Sequence, residues 1–167
     1  MSTVLLLLVG LAAALTPGQA FRRNQPPRMS VEVRVSGPIS KVPQTIELTL
    51  AATPLAGIHV YSPGNAEYNA VAVTLMPVEG LRAGAPVFPA GETYFFAPLK
   101  QVVTVYSKPF VVRVPVTVGA AFAKTRAPGE TVELKGSVEY QACDDKICFP
   151  PQSLPFSVQV PVKLARR

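Results

Sequence analysis

No tryptophan occurs in the 167 residues, histidine occurs once, cysteine occurs twice, and no apolar run is long enough to span a bilayer. Each gap removes a class of function. Without tryptophan the chain cannot build the cysteine and tryptophan pin that ties antibody-type sandwiches. With His59 as the only imidazole, Ser-His-Asp catalysis would have to run through that residue, and no Gly-x-Ser-x-Gly elbow accompanies it. A lone histidine in a strand is ordinarily a packed or surface residue. Glycine motifs for phosphates and dinucleotides are missing as well. Cys143, Cys148 and His59 could offer copper or zinc three ligands but no clear fourth, so neither a metal nor a cofactor is expected.

An excess of charge of one sign is also missing from the body of the chain. The formal net charge is +6, but six of the sixteen Lys and Arg lie at the ends, as Arg22, Arg23 and Arg28 and as Lys163, Arg166 and Arg167. The ten that remain face ten acidic residues, all between Glu32 and Asp145. A groove that neutralises phosphates needs positive charge clustered on one face, so nucleic acid is not an expected partner.

The first twenty residues carry no charged side chain, and their apolar run, Val4 to Leu15, is too short to cross a membrane. Pro17 and the small residues Gly18 and Ala20 match a secretory signal peptide cleaved before Phe21, with a retained anchor as the alternative. No cysteine follows the run to take a lipid, and Arg22-Arg23 stands behind it, where a twin-arginine signal would stand ahead. The expected organisation is a signal peptide over 1–20, a basic flexible segment over 21–30, one domain over 31–162 and a basic tail over 163–167. Membrane contact is expected only through the leader or through a partner. Export places the chain where a close cysteine pair can be oxidised and stay so.

Eighteen prolines and eleven glycines punctuate a series of valine-rich alternating runs. Val31, Val33 and Val35 predict a first strand that ends at Gly37-Pro38, and Ile46, Leu48 and Leu50 a second between Thr45 and Thr53. Gly57 to Tyr61 predicts a short strand closed by Ser62-Pro63-Gly64, and Val71, Val73 and Leu75 predict another. Glu79 to Lys100 reads as a long loop with at most a short strand, holding the aromatic cluster Tyr94-Phe95-Phe96. Val103 and Val105 lead to Tyr106, and Phe110 to Val118 is the longest clean alternation, with Pro115 on its opposite face suggesting an edge or a bulge. Val132, Leu134, Val138 and Tyr140, then Leu154 to Val162, give the last two strands. Eight or nine short strands with no convincing helix describe an all-β antiparallel sandwich.

Both cysteines fall in Tyr140-Gln-Ala-Cys143-Asp-Asp-Lys-Ile-Cys148-Phe-Pro-Pro151, between the last two strands and so at a predicted hairpin tip. On facing arms of a tight hairpin their Cα atoms can meet the spacing of about 4.4 to 6.8 Å that a disulfide needs. Closing a loop of about six residues stabilises a fold by only ~2 kcal/mol in the chain-entropy account, so the bond is a poor staple. If Val138 and Tyr140 face the core, regular alternation points Cys143 outward and within reach of a partner. Asp144 and Asp145 disfavour a thiolate and Lys146 favours one. Without Cys-x-x-Cys or a helix N-terminus this is not a thioredoxin-type site. The residues alone leave two readings open: a redox pair, and a structural clip in a secreted protein-binding sandwich.

Tyr140-Gln141-Ala142-Cys143 followed by Cys148-Phe149-Pro150-Pro151 resembles the active-site segment of the amino-terminal periplasmic domain of the thiol:disulfide interchange protein DsbD. Gly57-Ile58-His59-Val60-Tyr61, and Tyr106 leading into Phe110 to Val118, fit the same family, and the similarity runs from about Val31 to Val162. The cysteine spacing is one residue shorter than in its best-known members. The resemblance implies an immunoglobulin-like sandwich whose reversible disulfide takes electrons from a membrane-embedded thiol reductase and hands them to periplasmic thioredoxin-like proteins. It implies that Cys148 forms the mixed disulfide with the acceptor and that Cys143 resolves it. It further implies an aromatic cap, best matched by Tyr94, Phe95 and Phe96, with Tyr61, Tyr140 and Phe149 around the pair. No membrane or thioredoxin-like domain lies within the 167 residues, so the donor is expected to be a separate protein.

Overall fold

The computed structural model describes residues 25–65 and 67–165, so the expected leader lies outside the described residues. In chain order come β1 (Met29–Val35), β2 (Gln44–Pro54), β3 (His59–Tyr61), β4 (Ala72–Leu75), β5 (Leu81–Ala83) and β6 (Glu92–Phe96). They are followed by β7 (Gln101–Tyr106), β8 (Phe110–Val118), a helical turn α1 (Phe122–Thr125), β9 (Thr131–Tyr140), β10 (Ala142–Cys143) and β11 (Gln152–Pro161). No described helix is long and apolar enough to cross a membrane.

The strands form three antiparallel sheets, ordered β1-β2-β8-β5, β10-β3-β7-β6 and β11-β9-β4. Period-two patterning builds them. Ile46, Leu48 and Leu50 of β2 and Val112, Val114 and Val116 of β8 are all buried, and the register sets Leu48 opposite Val114 and Leu50 opposite Val112. Burying each such aliphatic side chain stabilises the fold by roughly 1.5–3 kcal/mol. A slip of one residue would turn the whole apolar set to water, which is why the register is unique. Val132, Leu134, Val138 and Val160 from the third sheet and Val60, Tyr106 and Ala142 from the second close over the same core. The result is an immunoglobulin-like β-sandwich.

Two short strands, β5 and β6, occupy the stretch from Glu79 to Lys100, and with β10 they raise the count to eleven. They are too brief to leave a periodic signature and form by adding to partners already in place. β8 is interior rather than an edge, yet Pro115 is accommodated. Its carbonyl accepts from Gly84 N at 2.8 Å, on the side where β5 has ended and before the Val87 bridge to Arg113 begins. The donor that proline lacks therefore faces a break in the ladder. In β9, Gly136 is dictated by contact: a Cβ there would stand 2.3 Å from Thr74 O and 2.6 Å from the Phe156 ring.

Candidate functional site

β9 and β11 pair from Thr131 opposite Pro161 to Tyr140 opposite Gln152, and the cysteines lie beyond the end of that ladder. After Tyr140 the chain changes sheets. Gln141 N donates to Asn69 O at 3.0 Å, and then Ala142 and Cys143 pair with Val60 and His59 of β3. Cys148 returns directly opposite Cys143, with Asp144 N to Ile147 O at 3.0 Å on one side and Phe149 N to Ala142 O at 2.8 Å on the other. The pair occupies the narrow, non-hydrogen-bonded position of a small antiparallel ladder. The two residues form a disulfide, with Cα atoms 4.0 Å apart. Asp144 shapes the turn: its Oδ1 accepts from the backbone N–H groups of Lys146 and Ile147, both at 2.8 Å. Those two donors hold the Asp144 carboxyl below the usual carboxylate range.

Alternation gives the direction of Cys143 correctly but not its accessibility. Ala142 enters the main core, and Cys143 points to the other face of the sheet. That face is roofed: Cys143 is 0% exposed and joins Tyr61, Val103 and Val105 in a second apolar cluster, against which Tyr68, Tyr94 and Cys148 pack half-buried. Cys143, expected to be reachable, is therefore sealed, whereas Cys148 is a partly exposed residue.

Tyr61 is fully buried, and its hydroxyl lies 3.4 Å from Cys148 Sγ. Its ring stacks on Tyr68 at 4.2 Å, and the Tyr68 hydroxyl donates to Gln101 Oε1. Burial, reinforced by Tyr68, pushes the Tyr61 hydroxyl up to about 12, so it stays a proton donor at neutral pH. Of the three aromatics expected as a cap, Tyr94 and Phe96 share the cysteine face, with their rings 4.3 and 6.2 Å from that of His59. Phe95, between them, falls on the opposite face beside Val102 and is 58% exposed.

Tyr140 and Phe149 sit at the base of the hairpin instead. The Tyr140 hydroxyl donates to Gln152 Oε1 at 2.7 Å and accepts from Arg28 N at 3.1 Å. The Arg28 guanidinium lies 3.3 Å from the centre of the Phe149 ring, a cation–π contact. The carbonyls of Gln25 and Pro26 accept from Gln152 Nε2, at 3.4 and 3.2 Å. Part of the basic segment expected over 21–30 thus lies as a strap across the hairpin base.

His59 is a site neighbour that reading the sequence treats as an ordinary packed or surface residue. It is the cross-strand partner of Cys143, it is buried, and its Nε2 meets no hydrogen-bond partner among the described residues. Burial lowers its proton affinity below the ordinary value, partly offset by the carboxylates of Asp144 and Glu92. Its position two residues before Tyr61 in one strand was the available signal. With both cysteines joined to each other, no three His, Cys, Asp or Glu side chains among the described residues converge on a metal position.

Comparison with curated protein sequences finds no match. Among solved structures, the GAE domain of yeast GGA1 is similar at 8% identity, with 83% of this chain and 96% of that chain covered and a TM-score of 0.45. The GAE domain of GGA2p from Saccharomyces cerevisiae shares 12% identity, with 81% and 93% covered and a TM-score of 0.42. The N-terminal periplasmic domain of ScsB from Proteus mirabilis shares 15% identity, with 79% of this chain but 46% of that chain covered and a TM-score of 0.47. The family model described as thiol:disulfide interchange protein DsbD, N-terminal, matches residues 25–159. That match runs from the strap through the cysteine hairpin into the last strand, and the chain belongs to the DsbD N-terminal family of thiol:disulfide interchange domains.

Proposed function

We propose that the Cys143–Cys148 pair is a reversible two-electron carrier in the periplasm. It is reduced by a membrane-embedded thiol reductase and oxidised by thioredoxin-like proteins, so that the domain works as a component of a protein-disulfide reductase. The signal peptide over 1–20, cleaved before Phe21, belongs to this reading, as do the domain over 31–162 and its basic tail over 163–167. Reduction brings in two electrons and two protons from a donor dithiol and leaves two thiols. The Cys148 thiolate then attacks an acceptor disulfide, forming a mixed disulfide and expelling one acceptor thiolate. Cys143 attacks the Cys148 sulfur, restores the internal disulfide and releases the second acceptor thiolate. Both leaving thiolates take up protons.

The observation that carries the reading is the asymmetry of the pair. Cys143 is sealed at 0% exposure while Cys148 is half-buried, which supports Cys148 as the attacking sulfur and Cys143 as the resolving one. The aromatic roof of Tyr61, Tyr94 and Phe96 limits access until a partner displaces it, with Phe95, Tyr140 and Phe149 outside that roof.

Trapping tests this. A Cys143→Ser variant mixed with an oxidised thioredoxin-like acceptor is expected to accumulate a mixed disulfide through Cys148, and a Cys148→Ser variant to accumulate little. The reverse pattern, or no adduct from either variant, would refute the proposal.

A further inference from the structure

The lone histidine stands beside the sulfur that must give up a proton last. β10 and β3 set Cys143 directly opposite His59, and directly opposed antiparallel residues carry their Cβ atoms about 4.5–5.5 Å apart on one face of the sheet. His59 is 4% exposed, its Nε2 is cut off from solvent, and among the described residues no group bonds to that nitrogen in the oxidised state. An unpartnered polar atom in a buried site is costly, and in the tautomer that leaves Nε2 bare the group that relieves it is a donor arriving on the same face. Reduction supplies such a donor, because it converts the Cys143 sulfur into a thiol.

We infer that His59 is the proton acceptor for Cys143 in the reduced domain, taking the thiol proton so that the Cys143 thiolate can attack Cys148 and expel the acceptor. This deepens the interchange reading and rests on it. The step balances: the S–H bond of Cys143 breaks, Nε2–H forms, the new S–S bond joins Cys143 to Cys148, and the bond from Cys148 to the acceptor sulfur breaks. The acceptor sulfur leaves with the electron pair, and the imidazolium returns its proton to that thiolate or to water.

The surroundings suit both halves of the transfer. Burial keeps the resting imidazole neutral and able to accept, while Asp144 from the hairpin turn and Glu92 from β6 supply negative charge toward the imidazolium once it forms. Glu92 is itself held as a carboxylate by the Ser107 hydroxyl and backbone N–H. The rings of Tyr61 and Tyr94 pack against the imidazole, and burial keeps the Tyr61 hydroxyl protonated. The Tyr61 hydroxyl contacts Cys148, so each sulfur of the pair has its own polar neighbour.

The test needs no partner protein and so can fail independently of the interchange reading. In a Cys148→Ser background opened by Tyr94→Ala, which uncovers the sealed Cys143, the rate of Cys143 alkylation by iodoacetamide is measured from pH 5 to 10, with His59 present and in the His59→Phe variant. With His59 present the rate at pH 7 is expected to be about three- to tenfold higher than without it. The two rates should converge near pH 10, where the thiol ionises unaided. Superimposed profiles, or a ratio that is the same at pH 7 and pH 10, would overturn the inference, since loosened packing changes access at every pH alike. Should His59→Phe fail to fold, the imidazole resonances of the intact protein decide. Its titration midpoint should shift between the oxidised and reduced forms, and an identical midpoint in both would refute the inference.

Discussion

Reducing the disulfide is expected to weaken the domain by about 2 kcal/mol and leave it folded. The bond closes a loop between residues separated by 5 positions, and the chain-entropy relation for so short a loop gives about 2 kcal/mol at 25 °C. The hairpin keeps its own support without the bond: Asp144 N to Ile147 O, Phe149 N to Ala142 O, and the Asp144 side chain bonded to the turn. For a domain of this size the loss lowers the melting temperature by about 4–8 °C. By linkage, the folded pair resists reduction by about 45 mV more than the same pair in the unfolded chain, a small bias for a bond that must open and close. Urea titration of the oxidised and dithiothreitol-reduced forms, followed by circular dichroism, measures the difference directly. A reduced protein that is unfolded, or a loss above about 5 kcal/mol, would make the pair a structural staple and refute the reasoning. So would a native disulfide that dithiothreitol cannot open.

The roof makes a side-specific prediction. Tyr94→Ala should speed dithiothreitol reduction on the order of tenfold by uncovering the pair, whereas Phe95→Ala, on the far face, should change the rate less than about twofold. Acid should act through His59 first. Its folded proton affinity is lowered, so the unfolded chain protonates before the folded one and stability falls as pH drops through 6.5 toward the folded value. Urea midpoints between pH 7.5 and 5 should show this slope, and His59→Phe should flatten it. Asp144 and Glu92, held below their ordinary values, lose their contributions only in the more acidic range as they protonate. Gly136→Ala should cost about 1–3 kcal/mol in denaturant titration, since the added methyl meets Thr74 O and the Phe156 ring; a neutral result would mean that β4 can yield there.

The long valine alternations were legible in the sequence because each strand buries one face: β2, β8, β9 and β11 lie where Ile46 to Leu50, Phe110 to Val118, Val132 to Tyr140 and Leu154 to Val162 predict them, the last ending one residue early at Pro161. β5, β6 and β10 were not, because strands of 2 to 5 residues carry too little periodicity and owe their existence to partners distant in sequence. The cysteine hairpin was legible as a local feature. Its burial was not, since that depends on the change of sheet at Gln141 and on which face of β6 turns inward. Alternation within Tyr94-Phe95-Phe96 separates the middle ring from its neighbours, but only the pairing with β7 says which side covers the disulfide. His59 shows the same limit: its meaning comes from the residue across the strand, and that residue is 84 positions away.

The strap at Gln25 to Arg28 decides how the domain should be handled. Because it is bonded to Gln152 and Tyr140, anything attached ahead of Gln25 starts beside the reactive hairpin. β11 begins at that same end with Gln152 and carries the chain away for ten residues, about 33 Å of extended backbone. A fluorophore or purification handle appended after Leu164 therefore leaves the cysteine hairpin clear, whereas one placed at the front would crowd it.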